Sequence, residues 1–130
     1  MTPSALIVQA WLTANGEGVQ LWAEGIPGLD QATFPIGAFV HAGFNDDDGP
    51  LSGTPVETER FSVFVHALDR RQSRALARRF QSAANGLDGT ALASSDAKLS
   101  ELTVKRSDGS AVYWETRVEV SLTMWDQPEE

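Results

Sequence analysis

Residues 112–124 alternate without a break. Val112, Trp114, Thr116, Val118, Val120, Leu122 and Met124 interleave with Tyr113, Glu115, Arg117, Glu119, Ser121 and Thr123. Only an extended chain, which turns successive side chains to opposite faces, sorts such a run. One face must meet a core, and the other meets solvent or a neighbouring subunit. A second run, Phe61, Val63, Val65 and Ala67 against Ser62, Phe64, His66 and Leu68, is apolar on both faces and predicts a central strand. The period then changes at Asp69. This residue reads as an N-cap with Gln72 as its capping-box partner, opening a helix over about 70–85. Leu76, Phe80, Ala83 and Ala84 form its buried face, Arg70, Arg71, Arg74 and Arg78 populate its other faces, and Asn85-Gly86 ends it.

The remaining chain fills in around these elements. Thr2 as N-cap and Pro3 in the first turn start a short helix. Leu6, Ile7, Ala10, Trp11 and Ala14 give it one apolar stripe, and Asn15-Gly16 stops it. Residues 17–33 read as a short strand or turn and then a loop, because glycines crowd the alternation of Val19, Leu21 and Ala23. Phe39 to Phe44 read as a strand opened by the Pro35-Ile36-Gly37 bend. Residues 45–58, with three consecutive aspartates, two prolines and two glycines, read as a long exposed acidic loop between strands. Residues 99–106 form a further strand, and Ser107-Asp108-Gly109-Ser110 is a turn. The expected fold is α+β: a mostly antiparallel sheet of four or more strands with two helices packed on one face. It occupies one domain over residues 1–125, followed by a flexible acidic tail at 126–130.

At 130 residues, 42% hydrophobic and 22% charged, the chain can bury a core without staples. It has no cysteine, which removes disulfides, thiolate metal sites and a cysteine nucleophile. With no apolar run long enough for a membrane span and no secretory signal, the chain reads as soluble and cytoplasmic. Its formal charge of −8 is unevenly placed. Residues 1–59 contain Glu17, Glu24, Asp30, Asp46, Asp47, Asp48, Glu57 and Glu59 and no Lys or Arg, so all ten basic residues lie in 60–130. An acidic first half argues against a nucleic-acid reader. It suits either plain solubility or a basic protein partner.

No chemistry-bearing cluster emerges. His41 and His66 lie on expected strands without ligand-spaced neighbours, and cross-strand packing explains them better than a metal. The Asp46–Asp48 run lacks the alternating order and the terminal Glu of a calcium loop, and a solvated turn accounts for it. The Gly pairs at 16/18 and 25/28 lack the Lys-Ser/Thr of a phosphate loop. Neither a catalytic apparatus nor a cofactor or metal is expected. Half of all basic charge, Arg70, Arg71, Arg74, Arg78 and Arg79, sits on one helix whose own acid is Asp69. Two of these arginines occupy the first turn, where the helix dipole disfavours them. Either solvation or an acidic partner surface accounts for them. Trp125, near a frayed end, and Trp22, among glycines, are candidates for a protein–protein surface.

The sequence Phe61-Ser-Val-Phe-Val-His-Ala-Leu-Asp-Arg-Arg-Gln-Ser-Arg-Ala-Leu-Ala-Arg-Arg-Phe80 carries a central strand straight into an acid-capped helix rich in Ala and Arg. With a short N-terminal helix, a Gly-Ile-Pro segment and a long loop ahead of it, and a long two-faced strand behind, the chain resembles the tail terminator (tail completion) proteins of long-tailed bacteriophages and prophages. The resemblance implies a homohexameric ring, assembled in the host cytoplasm, at the head-proximal end of a virion tail. Such a ring caps the tail tube, ends its polymerisation and meets the head–tail connector. DNA passes through its lumen without sequence-specific binding, and no membrane or enzymatic activity is involved. On this reading Arg70, Arg71, Arg74, Arg78 and Trp125 serve subunit or partner contacts. The acidic segment with Asp46, Asp47, Asp48, Glu57 and Glu59 faces the lumen or an axial partner, and strand 112–124 extends the sheet. Two rivals remain: another head–tail connector or neck protein, and a small cytoplasmic binding domain or enzyme built on the histidines and aspartates.

Overall fold

The computed structural model describes residues 2–16, 18–23, 35–47, 56–87, 92–106 and 112–125. Its elements are α1 (Pro3–Asn15), β1 (Leu21–Ala23), β2 (Ile36–Asp47), β3 (Val56–Ala67), α2 (Arg70–Asn85), β4 (Leu92–Arg106) and β5 (Val112–Trp125). The strands make one sheet in the order β1-β2-β3-β5-β4. Only β1 and β2 pair in parallel; β2–β3, β3–β5 and β4–β5 are antiparallel. The expected α+β architecture is thus observed, and the two-faced strand β3 is the middle one of five.

Both helices start and stop for local reasons. The Thr2 side chain accepts from Ala5 N at 3.2 Å, Pro3 opens α1, and Gly16 returns its N–H to Leu12 O. The Asp69 carboxylate accepts from Arg71 N at 3.3 Å at the head of α2. The core lies between the helices and one sheet face. Leu6, Ile7, Ala10 and Trp11 from α1 meet Leu76, Ala77, Phe80 and Ala84 from α2 over Phe39, Phe61, Val63, Val65, Val118, Val120 and Leu122. Register explains the sorting: Val63 faces Val118 and Phe61 faces Val120, so the odd positions of β3 and the even positions of β5 share the helix side. Trp11 packs flat onto β2 at Gly37, where an added Cβ would sit inside 3.0 Å of three of its ring carbons. Ser73, buried on α2, donates to Val65 O at 2.8 Å and shares a hydrogen bond with the Thr116 hydroxyl at 2.8 Å, so polar atoms also lock α2 onto β3 and β5.

Three expectations need correction. The acidic stretch 45–58 is not a loop throughout: β2 runs to Asp47 and β3 begins at Val56, with Asn45 opposite Thr58 and Asp46 opposite Glu57. Ladder hydrogen bonds between backbones satisfy polar residues as readily as apolar ones. A β-bulge between His41 and Gly43, with Gly43 at φ 134°, precedes this extension. Residues 48–55 lie outside the described residues, as do turn 107–110 and tail 126–130. Secondly, β4 begins at Leu92 rather than at residue 99. Thirdly, β5 cannot extend the sheet into a neighbour, because it is paired on both sides, by β3 and β4.

Candidate functional site

The arginine helix is the first candidate. Arg71, Arg74, Arg78 and Arg79 are exposed, and no ion pair engages them among the described residues. Asp69 spends its carboxylate on the helix cap, so pairing within the helix does not explain the charge. Arg70 differs, its guanidinium lying 5.9 Å from the centre of the Trp114 ring. Ser73, Leu76, Ala77, Phe80 and Ala84 are buried beneath this face. The arginines therefore form the outer side of a helix that is fixed from below.

The structure does not bring the acidic candidates together in a loop. Asp46 and Asp47 stand on β2 and Glu57 and Glu59 on β3, toward the end of that hairpin opposite the one from which β3 leads into α2; Asp48 lies outside the described residues. Glu59 already has a partner, accepting from His41 Nε2 at 3.1 Å. Trp125 closes β5 opposite Val56.

Both histidines behave as cross-strand neighbours. His66 Nε2 lies 2.8 Å from Glu115 Oε2, its direct register partner, and a carboxylate only accepts, so Nε2 carries the proton. His66 Nδ1 is buried without a partner. The His66 ring stacks edge-on against Tyr113 at 5.1 Å. Burial, with Glu115 adding to it, raises the Tyr113 pKa above its ordinary value of 10.0. On the same sheet face the Ser62 hydroxyl donates to the Glu119 carboxylate at 3.1 Å, Arg117 pairs with Glu119, and the Arg117 guanidinium lies 5.7 Å from the Phe64 ring centre. This face, opposite the helices, is a ladder of cross-strand pairs. Among the described residues no three His, Cys, Asp or Glu converge to hold a metal, and no helix is long and apolar enough to cross a membrane.

Trp22, a candidate for a protein–protein surface, is joined by residues of α1 that the sequence did not single out. Val8 and Leu12 lie off the buried stripe of α1 and are exposed beside Trp22 of β1, and together with Val19 and Leu21 they line an open groove over Trp11. Trp11 Nε1 donates to Val19 O at 2.7 Å and so fixes the groove's floor to its wall. The available signal was two apolar residues on α1 beyond what one core-facing stripe uses.

No family model matches the chain, and no curated protein matches it in sequence. Among solved structures, a chain from the "Virion of native gene transfer agent (GTA) particle" superposes with a TM-score of 0.54 at 12% identity, covering 94% of this chain and 94% of that one. At this identity the likeness is one of fold, and it spans nearly the whole of both chains.

Proposed function

We propose that the protein is a structural component of a virion, and specifically a tail terminator. Identical copies close into a ring, most simply a hexamer, that caps the tail tube, ends its growth and joins it to the head connector. The observation that carries the virion reading is the end-to-end fold likeness to a chain of a gene transfer agent virion. The terminator reading rests on the resemblance in element order, with β3 running directly into the Arg-rich α2. The surface supports an assembly role: α2 displays arginines that no acid pairs with among the described residues, while residues 1–59 carry eight acids and no Lys or Arg. Each surface lacks in its own protomer what another copy offers. Acidic residues toward the lumen, among them Asp46, Asp47, Asp48 and Glu57, would keep passing DNA from adhering.

The test is reconstitution of the purified protein with the tail tube subunits of its own particle, imaged by negative stain. Tubes should end in a ring of defined diameter and stop lengthening once it is added. Rings that bind the head connector and ignore tube ends assign the protein to the neck instead. A monomer that neither rings nor caps tubes refutes the proposal.

A further inference from the structure

Two patches of opposite charge go uncompensated on one protomer. On the outer side of α2, Arg71, Arg74 and Arg78 follow at i, i+3 and i+7 as an exposed stripe about 10 Å long, and no acid pairs with them among the described residues. At the end of the β2–β3 hairpin, Asp46 stands directly opposite Glu57, and Asp47 opposite Val56. Like charges in direct register cost a sheet stability. The strand segments beside them, residues 121–125 of β5 and 92–95 of β4, bring no Lys or Arg.

The two patches are too far apart to neutralise each other. Asn85, at the end of α2, is tied to Ala97, whose register partner Val120 faces Phe61, so α2 runs back along β3 about as far as Phe61. Glu57 lies about 13 Å past that point, and Arg78 about 10 Å short of Asn85. A gap on the order of 20 Å exceeds the ~8 Å screening length at physiological salt.

We propose that the arginine face of α2 receives the acidic end of the β2–β3 hairpin from the next copy. This rests on the ring reading above and names the two surfaces that would close it. The occupant is a second copy because the chain supplies both halves. Of its ten Lys or Arg, five are on α2, which holds no acid, so the rest of the chain sets 18 acids against five. At −8 each, two copies repel overall. Only an approach that sets opposite patches against each other is favourable, and this fixes the orientation. Spacing agrees: Asp46 and Glu57 are cross-strand neighbours about 5 Å apart, and Arg74 and Arg78 stand one turn apart at about 6 Å. Every seam of a ring opens on its lumen, so an acidic hairpin end can stand at the lumen wall and meet the next copy there. Helix face and hairpin end are different surfaces, so the contact is head to tail and repeats until it closes on itself.

Sheet extension is the competing mode of docking, and α2 opposes it at β4. Asn85 Oδ1 accepts from Ala97 N at 2.8 Å, and Gln81 and Asn85 side chains donate to Ala97 O at 3.0 and 3.3 Å. The peptide groups an added strand would use at Ala97 are already engaged.

Charge exchange on the full chain tests this: Arg74→Glu/Arg78→Glu on the helix, Asp46→Lys/Glu57→Lys on the hairpin, and all four changes together. Analytical ultracentrifugation should show self-association weakened by about tenfold or more in each double variant. The fourfold variant should recover it. An equimolar mixture of the two double variants should recover it too, because each hairpin end then finds a helix of opposite sign. Circular dichroism and melting curves check that each variant is folded. Should the lysine pair disturb the hairpin, Asp46→Asn/Glu57→Gln keeps the side-chain size and should still weaken association. Folded double variants that assemble like wild type overturn the proposal and leave the ring reading standing with its contact elsewhere. Weakening without recovery on exchange also overturns it. Recovery on exchange in assemblies that never cap tubes supports the contact and removes the tail role.

Discussion

Single residues show how little slack the core has. Trp11 is fully buried, tethered through Nε1 to Val19 O and packed 5.7 Å from the Phe80 ring, with its six-membered ring laid on Gly37. Gly37→Ala would place a methyl inside 3.0 Å of that ring. We expect a loss of about 1–3 kcal/mol, in the range of an overpacked core, read as a lower Tm with an unchanged spectrum. Tyr113 makes the matching point for polarity. Its folded-state pKa is raised above 10.0 by burial and, secondarily, by Glu115. The unfolded chain therefore ionises first as the solution becomes alkaline. The Tyr113 contribution to stability is whole below pH 10.0 and is lost as pH rises through the folded-state value. The chain has one tyrosine and four tryptophans, and since indole does not titrate here, the pH-dependent rise in absorbance near 295 nm reports Tyr113. Phenolate should appear at higher pH in the folded protein than in denaturant.

At the scale of elements, α2 carries charge that costs it stability and that the proposed assembly would use. Arg71 lies in the first turn, where the helix dipole opposes a cation, and it has no acidic partner among the described residues. Arg71→Glu should raise protomer stability by about 0.3–1 kcal/mol and weaken self-association at the same time. Thermal melts at low salt and sedimentation on the same sample separate the two effects. Both helices were legible in the sequence, because their caps (Thr2 with Pro3, Asp69) and their apolar stripes agree. Strands β3 and β5 were equally legible through alternation. What escaped was backbone pairing without an apolar signal. Asn45, Asp46 and Asp47 continue β2, and Leu92 to Lys98 begin β4 as Ala, Ser and Asp, a polar stretch suited to a sheet edge. Among site residues, the exposure of Arg71, Arg74 and Arg78 followed from the helical stripe. The groove did not, because it joins Val8 and Leu12 to Trp22 across elements, and Trp22 read as part of a glycine-rich loop.

For the molecule as a whole, the strand order is β1-β2-β3-β5-β4. Strands β1 and β2 stand at one edge of the sheet and β4 at the other, and α2 with its five arginines packs across β3, β5 and β4. The ring proposed above requires copies of this protomer to dock head to tail until the contact closes on itself. Light scattering of the wild-type chain across ionic strength tests this most directly. The account predicts one discrete mass, a whole multiple of 14.1 kDa, at low salt, falling toward the protomer as rising salt screens the contact. A mass of 14.1 kDa at every salt and protein concentration would contradict it.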